Sequence, residues 1–218
     1  VTIDFEQVSV TDLAKSYGPT LALTGVNLSF EAGTVTLIQG ANGSGKSTLL
    51  WLLALLARPS RGQIRYGRYG AEHADLLRGR IGFLAHQLQL YPGLTGKENL
   101  ELAAKLHEIP DDEERVDRMR AMLKLDDYWD RPLRTYSRGQ AQRIAIARTL
   151  LHAPRLLLMD EPSTGLDASS AEALLRLTEA QKARGAIILI VSHELHFANE
   201  ITDRVLQLRR GRLMEAEA

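Results

Sequence analysis

Between Thr34 and Leu55 the sequence changes character twice without a spare residue. Val35-Thr36-Leu37-Ile38 is a short apolar run, Gly40-Ala41-Asn42-Gly43-Ser44-Gly45-Lys46-Ser47 follows it, and Leu49-Leu50-Trp51-Leu52-Leu53 comes next. This order predicts a buried strand, a tight turn and the start of a helix, and the turn has the spacing G-x-x-x-x-G-K-[ST]. Gly40, Gly43 and Gly45 let the backbone turn sharply and bring its N–H groups close to phosphate oxygens. A helix opening near Lys46 adds unsatisfied N–H groups and the positive end of its dipole. Lys46 is a charge for β- and γ-phosphates, and the Ser47 hydroxyl is a magnesium ligand.

The rest of the chain narrows the partners. Its 218 residues suffice for one large domain, and its 27 Lys+Arg balance 27 Asp+Glu, so nothing predicts broad attraction to nucleic acid or anionic lipid. No cysteine is present, which excludes disulfides, thiolate metal sites and cysteine nucleophiles and fits a reducing cytoplasm. Val1 to Glu6 has neither a basic nor an apolar leader region, so no secretory signal is expected, and the missing initiating methionine points to a trimmed or processed end. The longest apolar run, Leu49 to Ala57, is far short of a membrane span, so any work at a membrane needs another chain to cross it.

Along the chain, Val8–Leu13 and Gly25–Phe30 alternate as half-buried strands, separated by a turn cluster, Ala14–Pro19, that carries Tyr17. Tyr17 is either a packing residue or a platform for a nucleotide base. Gln63–Tyr66 is a short strand, and the small first sheet is expected to be antiparallel. Ile81–Ala85 is a buried strand followed by a polar loop, His86–Gly93. Thr95-Gly96-Lys97-Glu98 resembles a capping box at the start of a helix, and Asp111–Leu125 is a second helix with Val116, Met119, Met122 and Leu123 on one stripe. Its acidic start is a solvated first turn matched to the helix dipole. Ser169–Arg184 is a helix, Ala186–Val191 a buried strand, and Asp203–Leu208 a last strand before Arg209-Arg210-Gly211-Arg212.

Leu156–Met159 is apolar without alternation, as in a central parallel strand covered on both faces, and it ends in Asp160-Glu161. With the phosphate loop upstream this is the two-part metal site of a P-loop NTPase: Asp160 to hold magnesium, and Glu161, one residue on, to polarise a water for in-line attack on the γ-phosphate. His193 and His196 stand at i, i+3, but no third or fourth ligand accompanies them and no metal site is expected there.

Thr135-Tyr136-Ser137-Arg138-Gly139-Gln140, running into Ala141–Arg148 just before the Asp-Glu strand, resembles the signature sequence of ABC-type ATPases. Ser163-Thr164-Gly165-Leu166-Asp167 resembles the D-loop of that family and His193 its switch histidine, and Tyr17 takes the position of its base-stacking aromatic. The resemblance covers essentially the whole chain in order. It implies ATP and Mg2+ as cofactors and ATP contacts from Tyr17, Gly40, Asn42, Gly43, Ser44, Gly45, Lys46, Ser47 and Thr48. It further implies a head-to-tail dimer with a second such domain, identical or paralogous, in which Ser137, Gly139, Gln140 and Asp167 face the partner's nucleotide. Two departures stand out. Tyr136 and Arg138 replace the usual Leu and Gly of the signature, and the family's Q-loop glutamine falls on His86, with Gln87 one place later; either can reach the magnesium water.

The expected fold is therefore α/β: a P-loop NTPase with a RecA-like core, an antiparallel β lobe and an inserted helical lobe. One ABC ATPase domain is expected over 1–218, with 1–90 and 152–218 as core and β lobe and 91–151 as the helical lobe. The resemblance implies hydrolysis that drives transport through a separate integral membrane permease, docked near the Q-loop and helical lobe. The chain would then sit peripherally on the inner face of the cell membrane, with no nucleic-acid partner. The histidine at the Q-loop position and the Leu90–Thr95 stretch are similar to the haem-exporter ATPases of cytochrome c maturation. A soluble ABC ATPase and a nucleotide-gated signalling scaffold are the alternatives; the first usually carries tandem domains, coiled coils or cysteine clusters, none of which is present.

Overall fold

The structure is a computed structural model that describes residues 3–109, 112–193 and 200–215. Its first sheet has the order β2-β1-β4, from β1 (Gln7–Tyr17), β2 (Thr20–Glu31) and β4 (Arg61–Tyr66), and all pairs are antiparallel. The second has the order β5-β6-β7-β3-β8-β9. It is built from β3 (Val35–Gln39), β5 (Ile81–Leu84), β6 (Leu156–Asp160), β7 (Ile187–Val191), β8 (Arg204–Arg209) and β9 (Arg212–Glu215). Every pair in it is parallel except β8–β9. The helices are α1 (Lys46–Leu53), α2 (Ala74–Arg78), α3 (Gly96–Leu106), α4 (Asp112–Met122), α5 (Arg138–Leu150) and α6 (Ala168–Ala183).

The strands of the parallel sheet are apolar throughout because they are covered on both faces. Along β6, Leu156 and Leu158 pack with Ile187, Leu189, α1 and the first sheet, whereas Leu157 and Met159 pack with Ile188, Ile190 and the helices α3, α5 and α6. Register follows from this: Met159 lies beside Ile190, and Leu37 beside Ile190 on the other side. The phosphate-loop strand and the Asp-Glu strand thus flank β7, and their carboxyl ends open on one edge of the sheet, where ligands bind in open α/β folds.

Three expectations about the elements are corrected. First, β1 runs on through Tyr17, so the turn shrinks to Gly18-Pro19; Lys15, Ser16 and Tyr17 pair with Leu23, Leu21 and Thr20, and their polar, solvent-facing side chains conceal the strand in the sequence. Second, Arg209–Arg212 is a hairpin rather than an end. Arg210 (φ 48°) and Gly211 (φ 75°) are the two left-handed residues of a tight turn, and β9 pairs back as a short edge strand. Third, the α4 stripe is narrower than expected: Val116 and Leu123 are buried but Met122 is exposed. Asp111, the expected first residue of that helix, and His196 lie outside the described residues.

The capping box at Thr95 is present, with Thr95 Oγ1 accepting from the Glu98 N–H at 3.1 Å and Glu98 Oε2 from the Thr95 N–H at 2.7 Å. Helices α3, α4 and α5 fall between residues 96 and 150 and pack on the α6 side of the sheet.

Candidate functional site

Lys46 opens α1 directly after Gly45, whose φ of 109° is open only to glycine and whose surroundings leave no space for a Cβ against Ala22 O and Leu23. The β8–β9 hairpin holds the loop from behind. Gly211 N–H donates to Ser44 O at 3.0 Å, and a Cβ on Gly40 would collide with Leu208 O. Gly40 and Ser44 therefore face this rear side together with Arg209 and Arg210, while Asn42 and Gly43 reach both sides of the loop. The buried Ser44 hydroxyl makes no hydrogen bond to another described residue.

In front lies an open cleft of about 600 Å³. Asn42, Gly43, Gly45, Lys46, Ser47 and Thr48 line it from the loop, and His86, Asp160, Glu161, Thr164 and His193 close it from the sheet edge. Lys46 is buried, and its ammonium donates to Gly40 O (2.6 Å) and Ala41 O (3.0 Å). Burial holds its pKa below the usual lysine value, against the opposing pull of Glu161 and Asp160. A phosphate entering the cleft would replace the two carbonyls with stronger charged acceptors.

Asp160, buried at the end of β6, accepts the Ser47 hydroxyl on Oδ2 at 2.9 Å. Glu161 then leaves the strand at φ 52°, an uncommon backbone conformation for a residue with a side chain, stabilised by its N–H bond to Val191 O (2.8 Å). This kink aims its carboxylate at His193: Oε2 accepts the His193 N–H at 3.3 Å, and the buried Oε1 lies 3.5 Å from His193 Nε2 without a hydrogen bond among the described residues. Hard oxygen donors from Ser47 and Asp160, meeting beside the loop, fit Mg2+. When bound there it would supply Lewis-acid stabilisation of phosphoryl charge.

The remaining sequence candidates divide between the cleft and other surfaces. Tyr17 is half exposed at the β1–β2 turn, with the Lys15 ammonium 4.9 Å from its ring centroid, and it is Thr20, Leu21 and Ala22 of the same hairpin that wall the cleft. These three were not singled out in the sequence, although the Gly18-Pro19 turn flags the hairpin. Of the Q-loop pair, His86 lines the cleft and Gln87 does not. The loop is tied to α5 through Arg148 Nη1, which donates to Gln89 O at 2.5 Å.

Ser137, Gly139 and Gln140 do not line this cleft. Ser137 is the exposed N-cap of α5: its hydroxyl accepts the Gln140 N–H (3.2 Å), and Gln140 Oε1 accepts the Ser137 N–H (2.9 Å), a capping box whose S-x-x-Q spacing is visible in the sequence. Gly139 packs so tightly on Gly165 O that no side chain fits there. Asp167 caps α6, accepting from Ser170 N–H (2.8 Å) and the Ser169 hydroxyl (3.0 Å). These hydrogen bonds hold its carboxyl below the usual carboxylate range.

Residues 23–164 match the family model described as ABC transporter. The chain belongs to the ABC transporter family. Within it, an uncharacterized ABC transporter ATP-binding protein of Methanocaldococcus jannaschii is 36% identical over 209 residues, 92% of this chain and 93% of the relative. The daunorubicin/doxorubicin resistance ATP-binding protein of Streptomyces peucetius is 34% identical over 210 residues, 95% of this chain and 64% of the relative. A solved ATP-binding cassette, a dimer in a post-hydrolysis state bound to ADP and Pi, superposes with a TM-score of 0.86 at 27% identity, covering 97% of this chain and 99% of that one. As an ABC cassette the chain is an ATPase that takes ATP with magnesium, and cassettes of this family dimerise and serve a membrane permease. None of its described helices is long and apolar enough to cross a membrane.

Proposed function

We propose that this cassette hydrolyses Mg-ATP at the interface of a head-to-tail dimer and thereby drives outward transport through a separate membrane subunit. One observation carries the reading. The phosphate loop, Asp160 and Glu161 share one cleft, while Ser137, Gly139 and Gln140 lie outside it on the exposed start of α5. Two copies arranged head to tail would put the α5 N-terminus of one against the phosphates held by the other, where N–H donors and the helix dipole stabilise anionic charge. Lys46 and the loop amides bind the phosphates, Ser47 and Asp160 hold magnesium, and Tyr17 stacks on the base. Glu161, steadied by His193, accepts a proton from the attacking water, and His86, which lines the cleft, would orient water beside the magnesium that Ser47 and Asp160 would hold.

The docking face for the membrane subunit is a groove of about 400 Å³ beside the Q-loop, walled by Phe83, Tyr91, Leu102 and Leu106. Tyr91 and Leu106 present exposed apolar surface at this groove, which a membrane subunit would cover. Kinship does not set the direction, since relatives at 34% identity include both the drug-resistance cassette and a methionine import cassette; outward transport is supported by the resemblance to haem-exporter ATPases. Haem as cargo is supported only by the resemblance of His86 and Leu90–Thr95 to haem-exporter ATPases.

Co-purification in mild detergent tests the transporter reading: an integral membrane protein is the expected companion, and purely soluble partners would overturn it. Inside-out vesicles carrying the complex then test direction and cargo. ATP-dependent accumulation of haem is expected, and ATP hydrolysis without it would remove haem from the reading.

A further inference from the structure

Tyr136 stands immediately before the N-cap of α5, where the related signature has leucine. Leucine and tyrosine both fill apolar space, so what distinguishes this chain is the hydroxyl. Tyr136 Oη donates to the carbonyl of Tyr128 at 2.5 Å and accepts the N–H of Gly96, the first residue of α3, at 3.1 Å. The ring meets that of buried Tyr128 edge-on, with centroids 4.8 Å apart. Gly96 is shaped for this contact, since a Cβ there would stand 2.6 Å from the same hydroxyl oxygen and 2.9 Å from Ile144 Cδ1.

The hydroxyl is the side-chain centre of a wider seam. Lys97 N–H donates to Trp129 O (3.2 Å), Leu133 N–H to Leu94 O (2.9 Å) and Arg134 N–H to Pro92 O (3.0 Å), and Thr95 bridges Pro132. Residues 92–97, which lead from the Q-loop into α3, and residues 128–136, which lead into the signature, therefore form one laced unit whose last member is Ser137. The backbone bonds fix the strand-like stretch, and among the described residues Arg134 is the last of it whose main chain bonds across to the 92–94 side. Between Arg134 and Ser137, the hydrogen bond from this stretch to the start of α3 is that of the Tyr136 hydroxyl with Gly96 N–H.

We propose that Tyr136 is a positioning residue for catalysis: its hydroxyl, pinned between Gly96 N–H and Tyr128 O, sets where Ser137 and the Gly139 N–H are presented to the nucleotide of the facing cassette. The proposal rests on the head-to-tail reading above. Phenylalanine at this position keeps the ring packing and removes the pin, leaving the α3 N–H of Gly96 without its acceptor.

The test compares Tyr136→Phe and Ser137→Ala with the native chain, each also in a Glu161→Gln background. The readouts are nucleotide affinity of the monomer, melting temperature, kcat, KM and the dimer fraction at saturating Mg-ATP. Tyr136→Phe is expected to lower kcat about tenfold, in line with the loss of one catalytically expressed hydrogen bond, and to reduce the ATP-dependent dimer. Monomer affinity and KM stay within about twofold, because the phosphate loop is untouched. Gly96→Ala, which crowds the hydroxyl from the other side, reproduces the kcat loss with Tyr136 in place and serves if the phenylalanine variant does not fold. An unchanged kcat and dimer fraction in Tyr136→Phe, with Ser137→Ala impaired, overturns the assignment of Tyr136 alone. If Ser137→Ala is also unimpaired, the head-to-tail reading falls and this inference with it. A kcat that falls only in step with melting temperature and monomer affinity makes Tyr136 a structural residue and overturns the proposal.

Discussion

At the scale of single residues, the cleft shows how neighbours divide two tasks. Asp160 continues β6 and meets Ser47, whereas Glu161 turns out of the strand in a left-handed conformation and meets His193. One backbone torsion thus sends adjacent carboxylates to different partners, Asp160 to the Ser47 hydroxyl and Glu161 to His193. Replacing Glu161 with glutamine preserves size but removes the carboxylate that the proposed mechanism uses as base, so ATP hydrolysis is expected to drop at least ~100-fold while the ATP-bound dimer accumulates. Size-exclusion chromatography showing only monomer at saturating Mg-ATP would falsify that expectation. The His86 and Gln87 alternatives separate by the same geometry. Because only His86 lines the cleft, His86→Ala should reduce kcat more than Gln87→Ala, and a steady-state comparison giving the reverse order would move the Q-loop role to Gln87.

Among the elements, β3 leads into the phosphate loop, and its start is fastened from outside the strand. Asp203, just before β8, accepts the N–H of buried Val35 on Oδ2 (2.8 Å) and pairs with Lys182 of α6 through Oδ1 (2.7 Å). It thereby joins the start of β3 to a helix and the neighbouring strand. Asp203→Ala strands the Val35 N–H in the core, and urea unfolding should show a loss of about 1–3 kcal/mol, with most of it from the orphaned amide rather than from the half-exposed ion pair. Asp203→Asn, which keeps an acceptor, should recover much of it; equal losses in both variants would assign the effect to the charge instead.

The molecule as a whole is packed so that α3, α5 and the edge strand β5 meet over two stacked imidazoles. His107 and His152 lie with centroids 3.9 Å apart and planes 4° from parallel, and His152 Nε2 is 3.2 Å from Ile81 O. Burial, then the neighbouring His107, lowers the His152 pKa from 6.5 to about 3, with Arg80 and Arg148 adding to the effect and the Ile81 carbonyl opposing it. His107 is lowered in the same direction by burial and Arg148. The folded state therefore binds this proton less readily than the unfolded chain. The stabilisation is complete above about pH 6.5 and is lost as the pH falls toward 3, amounting to roughly 2 kcal/mol by pH 5. Thermal melts at pH 7 and 5 should show a drop in Tm that is clearly smaller in His152→Gln; parallel drops would place the acid sensitivity elsewhere.

What the sequence determined by itself is local or bounded by composition. The phosphate loop, the fully apolar strands, the Thr95 capping box and the Asp160–Glu161 pair are legible because strand burial on both faces and the glycine spacing write themselves into consecutive residues. The longer β1 and the β8–β9 hairpin were not, because Lys15–Tyr17 and Arg209–Arg212 carry no apolar alternation and take their structure from pairing across tight turns. Only tertiary structure decided that Gly40 and Ser44 face the rear of the loop and that Thr20–Ala22 rather than Tyr17 wall the cleft. Those outcomes depend on how two sheets and a helical layer pack, and close approach between residues more than 100 positions apart has no signature in any single stretch of sequence.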